Sequence, residues 1–133
     1  MKFAPLFVAV ILLVACGARS SDEDQVRALF DAAETAAESR DTSDVLDLIA
    51  SDYTDSQGSD RAQLQNFLRG YFLANPKIEL LVNVQELHFP VDGLARARLG
   101  ITSLPAGDRA TVLVELRKES GEWRVARADR ARD

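Results

Sequence analysis

Residues 78–85 read Ile-Glu-Leu-Leu-Val-Asn-Val-Gln, and apolar side chains occupy every second position from Ile78 to Val84. Alternation of this kind predicts a β-strand with one face in the core. The residues before this stretch show helical spacing, so it divides the chain into a helical first half and a stranded second half. Helices followed by consecutive strands are typical of the α+β class, in which helices pack on one face of an antiparallel sheet.

Three further segments continue the period of two toward the C-terminus. Turn-forming pairs bound them at Asp92-Gly93 and Ser120-Gly121. In the last segment the inward positions include Arg127. We therefore expect about four long antiparallel strands, with one additional short strand near Tyr53.

Two helices are predicted before residue 51. The first spans residues 22–39, where an apolar stripe recurs at steps of three and four. The second is short, from Ser43 to Ala50, with Thr42 or Ser43 as its N-cap.

A third helix is predicted after a polar loop. Asp60 and Gln63 have the spacing of a capping box at its start, and Asn75-Pro76 ends it because a residue before proline avoids helical dihedral angles. Its apolar face consists of Leu64, Phe67, Leu68, Tyr71 and Phe72.

The N-terminus carries the pattern of a bacterial lipoprotein signal. An unbroken apolar run at residues 7–14 closes on Leu-Val-Ala-Cys at 13–16, the pattern that a lipoprotein signal peptidase cleaves before the cysteine. Residues 1–15 are therefore interpreted as a signal peptide and 16–21 as a lipidated tether. The run is too short for a permanent transmembrane helix, which needs about 20 residues. Cys16 is the only cysteine, and acylation accounts for a thiol without a disulfide partner.

Other interpretations of this segment are an ordinary cleaved secretory signal and an uncleaved anchor. The cleavage box favours lipidation, with palmitate or a similar acyl chain on Cys16. Gly17 stands where bacterial sorting rules would place an aspartate to retain a lipoprotein at the inner membrane. By resemblance to Gram-negative lipoproteins, we expect a protein of the cell envelope, anchored in the outer membrane and facing the periplasm.

Composition limits the partners of the remaining domain. Without residues 1–15 the chain has 118 residues, with 15 basic against 21 acidic side chains and a net charge of −6. This length suits one domain, placed at residues 22–130. An acidic domain without a basic cluster argues against nucleic acid and against binding to anionic lipid by charge. We find no metal-ligand cluster and no Gly-rich phosphate loop, so neither a metal nor a cofactor is expected.

Two short motifs stand at the exit of the second helix and in the last strand. They read Leu-Ile-Ala-Ser-Asp-Tyr at residues 48–53 and Gly-Glu-Trp-Arg-Val at residues 121–125. With the order of the elements, they resemble the nuclear transport factor 2 superfamily, in its bacterial SnoaL-like branch, over about residues 22–130. The resemblance implies a cone-shaped, curved antiparallel sheet of about four long strands wrapped around three N-terminal helices and an apolar pocket. That family holds isomerases, dehydratases, cyclases and binding domains, so the fold does not determine the function.

Asp55 is the strongest candidate for chemistry. By resemblance, the ketosteroid-isomerase branch places its proton-abstracting aspartate in this loop, and a carboxylate at the mouth of an apolar pocket can act as a base. Those isomerases also take a donor for the enolate oxygen from a tyrosine on the first helix, whereas residues 22–39 contain no tyrosine. The alternative, which we favour, is a solvated carboxylate in a turn-forming segment.

The remaining candidates are a histidine and several aromatic residues. His88, the only histidine, is a weak candidate for a general acid or base at an edge or loop position, and a lone histidine cannot build a zinc site. Core packing is the favoured interpretation for Phe67 and Trp123. Arg96 and Arg98 are expected on a solvated sheet face, or on a docking surface. The residues that could line a pocket are Tyr53, Asp55, Tyr71 and Trp123.

These patterns predict a membrane-anchored extracytoplasmic binding or interaction domain that is not an enzyme. Its partner would be a small apolar ligand or an envelope protein, and a homodimer is compatible with the resemblance. The alternative is a small isomerase- or dehydratase-like enzyme with Asp55 as base. Convergence of Asp55, His88 or Tyr53 in one closed cavity would favour the enzyme, and an apolar cavity would favour the binding domain.

Overall fold

A computed structural model describes residues 21–132. Three helices, α1 (Asp22–Glu38), α2 (Thr42–Leu46) and α3 (Arg61–Ala74), precede four strands: β1 (Glu79–Val91), β2 (Leu94–Leu104), β3 (Asp108–Glu119) and β4 (Glu122–Arg130). The predicted signal peptide at 1–15 and the predicted lipidation site Cys16 lie outside the described residues. Within residues 21–132 no helix combines the length and the apolar character needed to cross a bilayer.

Helix α1 begins and ends close to the predicted limits. The Ser21 hydroxyl caps it by accepting a hydrogen bond from the backbone N–H of Asp24 at 3.1 Å. Three acidic residues occupy its first turn, where the positive end of the helix dipole stabilises them. The predicted stripe buries Val26, Leu29 and Phe30.

Helix α2 is shorter than predicted and starts one residue earlier. Its N-cap is Asp41, not Thr42 or Ser43, because the Asp41 carboxylate accepts the backbone N–H of Asp44 at 2.9 Å. The helix ends at Leu46 instead of Ala50 because the backbone that follows bonds to β4: Ala50 donates to the Val125 carbonyl at 2.8 Å. Pairing with a strand thus replaces the last predicted helical turn.

Helix α3 has the predicted capping box and the predicted end. The Asp60 carboxylate accepts the backbone N–H of Gln63, and the Gln63 side chain accepts that of Asp60, both at 2.9 Å. Of its predicted apolar face only Phe72 is buried. Core packing was the wrong interpretation for Phe67, which is 63% exposed, because α3 packs closely against α2 and, within residues 21–132, against no strand.

The four strands form one antiparallel sheet in the order β1-β2-β3-β4. Its inner face, which the helices cover, carries the alternating residues of the sequence pattern, among them Ala95, Leu99 and Leu116. The β3–β4 hairpin turns at Ser120 and Gly121, which both have positive φ, as a type I′ turn requires. The predicted α+β class with helices on one face of an antiparallel sheet is therefore confirmed.

Strand β4 departs from simple alternation. Its pairing with β3 shifts between Glu115, opposite Arg127, and Leu116, opposite Val125. Ala126 is the extra residue of this β-bulge, so Val125 and Ala126 are both buried and Arg127 is exposed. The predicted inward position of Arg127 was wrong for this reason.

The segment after α2 lies along the free edge of β4. Ile49 forms a parallel bridge with Val125, and the backbone N–H of Thr54 donates to the Ala126 carbonyl at 3.2 Å. The short strand predicted near Tyr53 is thus reduced to isolated bridges. The three helices and four strands within residues 21–132 share one hydrophobic core, so these residues form a unit that can fold on its own.

Candidate functional site

A cavity of about 450 Å³ lies between the helices and the inner face of the sheet. All three helices and strands β1, β2 and β4 contribute to its wall. Its lining residues are Phe30, Ala33, Glu34, Ala37, Val45, Ile49, Tyr53, Leu64, Phe67, Leu68, Tyr71, Phe72, Ile78, Leu80, Val82, Leu99, Ile101 and Ala128.

Small side chains keep this space open. Ala33 and Ala37 stand one helical turn apart on α1, and Ala128 of β4 also lines the cavity. Larger side chains at these places would occupy the volume that the cavity now encloses. The lining is otherwise aliphatic and aromatic, and a pocket of this kind binds ligands mainly through burial of apolar surface.

Glu34 is the single ionisable carboxylate of the lining. It is half-buried on α1, between Ala33 and Ala37 in the stripe that faces the sheet. Burial raises the pKa of the Glu34 carboxyl, and the nearby carboxylates of Glu38 and Asp31 raise it further. Within residues 21–132 no lysine or arginine pairs with it.

Sequence reasoning missed Glu34 as a site residue, although the signal was present. It follows Phe30 by four positions, the spacing that places two side chains on the same helix face. A stripe defined by apolar residues alone does not include a charged residue that shares its spacing.

Tyr53 lines the cavity and connects it to Asp55. The Tyr53 hydroxyl lies 3.3 Å from the Asp55 Oδ2 atom and 3.4 Å from the carbonyl oxygen of Ala128. Burial, followed by the charge and hydrogen bond of Asp55, raises the pKa of Tyr53 to about 12. The phenol therefore stays protonated at neutral pH and acts as a hydrogen-bond donor.

Asp55 itself is held in a turn and does not line the cavity. Its Oδ1 atom accepts the backbone N–H groups of Gln57 and Ser59, each at 3.0 Å. Its other oxygen faces Tyr53. The carboxylate thus organises the loop between α2 and α3, and it is connected to the cavity lining only through the Tyr53 hydroxyl.

Tyr71 and Phe67 lie at the exposed rim of the cavity. Their rings stack with centroids 5.8 Å apart, and the two side chains are 42% and 63% exposed. Both side chains line the cavity and are also exposed to solvent, so we take this rim as the mouth of the cavity.

His88 lies on the opposite, outer face of the sheet, away from the cavity. On the edge strand β1, His88 lies opposite Arg96 of the neighbouring strand β2. It borders a depression of about 320 Å³ that charged side chains line. The Arg96 Nε atom lies 4.0 Å from the Glu115 Oε2 atom on β3, which matches the cross-strand pairing expected on a solvated face. Within residues 21–132 no group of three or more histidine, cysteine, aspartate or glutamate side chains could hold a metal ion.

Trp123 packs in the core near the start of α1, apart from the cavity lining. Its side chain is 4% exposed, and its indole N–H donates to Asp22 Oδ1 at 3.1 Å. Lys118 reaches the same oxygen at 2.9 Å, and these two hydrogen bonds lower the pKa of Asp22. The ring of Phe89 contacts the indole in an edge-to-face arrangement, with the ring centroids 5.7 Å apart. Of the four pocket candidates, the structure thus brings Tyr53 and Tyr71 to the cavity and places Asp55 and Trp123 outside it.

Solved structures share this architecture. A domain of unknown function with a cystatin-like fold from Nostoc punctiforme is 16% identical, with a TM-score of 0.72 over 86% of this chain and 79% of that one. An NTF-2 like protein of unknown function from Shewanella oneidensis is 14% identical, with a TM-score of 0.66 over 84% of this chain and 100% of that one. The hexachlorocyclohexane dehydrochlorinase LinA-type3 from Novosphingobium barchaimii is 9% identical, with a TM-score of 0.66 over 82% of this chain and 84% of that one.

No protein-family model matches the chain, and a search of curated proteins found no match. The structural likeness nevertheless establishes the nuclear transport factor 2-like fold, an α+β cone whose curved antiparallel sheet surrounds the helices. At these identities the likeness extends to the fold alone.

Proposed function

We propose that the chain is a lipoprotein of the cell envelope whose domain binds a small apolar ligand without converting it. The attachment is proposed from the cleavage box that ends at Cys16, and an outer-membrane location from Gly17. The binding role is proposed from one observation, the open cavity with an almost wholly apolar lining. Burial of a ligand surface there is worth about 25 cal/mol per Å² of apolar area before the costs of association.

Catalysis has weaker support than binding. A proton-transfer site needs its base within hydrogen-bond reach of a bound substrate. Asp55 is not part of the cavity lining and its Oδ1 atom accepts two backbone N–H groups, while His88 is on the other face of the sheet. One dehydrochlorinase has the same fold, but Asp55 and His88 do not meet in this cavity.

A fluorescence titration with N-phenyl-1-naphthylamine tests the binding role. The probe is neutral and apolar, and its emission rises when it leaves water. We expect residues 17–133, which include the helices, strands and core of residues 21–132, to give a saturable increase. Ala33→Phe fills the cavity and should weaken binding by about tenfold or more.

Ala32→Phe is the matched control for this titration. Ala32 is adjacent in sequence but exposed on α1, so the same substitution leaves the cavity open. We expect its affinity to stay within about twofold of the parent. Absence of saturable binding, or equal losses in the two variants, would contradict the proposal.

A further inference from the structure

The cavity has an uncompensated negative charge in its wall. Glu34 is the one charged residue of the lining, and no cationic side chain contributes to it. Its neighbour Glu38 has a partner, since Glu38 Oε2 accepts the backbone N–H of Leu80 at 3.3 Å. Within residues 21–132 Glu34 has no such bond, and its interactions with Asp31 and Glu38 are repulsive.

An apolar cavity lined by an unpaired carboxylate favours one class of occupant. A partly buried carboxylate gains from a charged donor that lies within hydrogen-bond distance, and such bonds are stronger than neutral ones. A carboxylate ligand such as a fatty acid would instead meet Glu34 without any cation to balance it. From this charge complementarity we infer that the cavity selects apolar amines, with the hydrocarbon body among the aliphatic residues and the ammonium group at Glu34.

The rim supports the same class of ligand. Tyr71 and Phe67 present stacked aromatic rings at the mouth, and ring faces attract cations. The inference rests on the proposed apolar-ligand function and adds the charge of the ligand to it.

Three ligands with the same ten-carbon chain test the inference: decylammonium, decanol and decanoate. Each is titrated at pH 7 against residues 17–133 preloaded with N-phenyl-1-naphthylamine. We expect decylammonium to displace the probe about tenfold more tightly than decanol, and decanoate to bind most weakly. This comparison needs no variant, so it does not depend on whether a substituted protein folds.

A pair of charge-matched variants then locates the effect. Glu34→Gln should bring the affinities for decylammonium and decanol within about twofold of each other, because the amide has no charge that distinguishes the two head groups. Glu86→Gln changes the net charge equally, but Glu86 lies on the outer face of the sheet, so the preference for the amine should persist.

Each outcome supports or overturns the inference. If the probe binds and the three ligands rank equally, or Glu34→Gln keeps the preference, the selection of amines is refuted and the apolar-ligand function stands. If neither the probe nor any of the three ligands binds, both proposals fail together.

Discussion

Substitution of Trp123 offers a direct measure of how the core is held together. Full burial of a tryptophan removes roughly 150–250 Å² from water, about 4–6 kcal/mol at 25 cal/mol per Å². Trp123 is 4% exposed, but an alanine keeps part of this burial and the unfolded chain is not fully solvated. We therefore expect Trp123→Ala to lower the free energy of unfolding by about 3–5 kcal/mol.

The assay is urea unfolding of residues 17–133 followed by far-ultraviolet circular dichroism. Fluorescence is unsuitable because Trp123 is the only tryptophan. Trp123→Phe keeps one aromatic ring but loses part of the buried indole surface and the donor to Asp22, so its loss should be clearly smaller than that of Trp123→Ala. Phe67→Ala, at a residue 63% exposed, should cost under about 1 kcal/mol. A loss below about 1 kcal/mol for Trp123→Ala, or one equal to that of Phe67→Ala, would refute the reasoning.

Three further predictions concern attachment, capping and charge. Cys16→Ser should abolish incorporation of an alkynyl palmitate analogue in cells, and equal labelling of parent and variant would exclude lipidation at this residue. Asp60→Ala should lower the free energy of unfolding by about 1 kcal/mol in urea melts, because it removes the N-cap of α3. Asp60→Asn should keep most of the stability, because an asparagine side chain can also cap the helix. The folded-state pKa of Glu34 is raised above its ordinary value of 4.5, so folding favours the protonated carboxyl. The stability that this preference provides is fully present below pH 4.5 and is lost as the pH rises through the raised pKa. Glu34→Gln should therefore raise the urea midpoint at pH 7 and leave it unchanged at pH 4, and equal shifts at both values would contradict this sign.

Local patterns predicted those parts of the fold that local forces determine. The capping box at Asp60 and the turn at Ser120 depend on a few neighbouring residues, and both were found where the sequence placed them. The alternation of β2 likewise follows from one buried face. Such features need no information about distant parts of the chain.

The incorrect predictions concern positions where distant contacts override the local pattern. The bulge at Ala126 turns Arg127 outward, and no neighbouring residue signals it. The last turn of α2 gives way to hydrogen bonds with Val125, more than seventy positions along the chain. Exposure of Phe67 depends on the packing of α3 against α2 and not against the sheet. Helical spacing could have predicted the charge of Glu34 in the cavity wall. The size of the cavity could not be predicted, because it depends on how the helices pack against the sheet.

The segment along β4 also limits how copies of this domain could join. Leu48, Ala50 and Thr54 hydrogen-bond the backbone of Val125 and Ala126 on the outer side of β4, whereas within residues 21–132 no backbone bridge covers the outer side of β1. Two open edges would let molecules add end to end into a growing fibre. Since the middle of β4 is already bonded, strand pairing between two copies would use the β1 edge of each, and such a pair closes a dimer instead of extending a fibre.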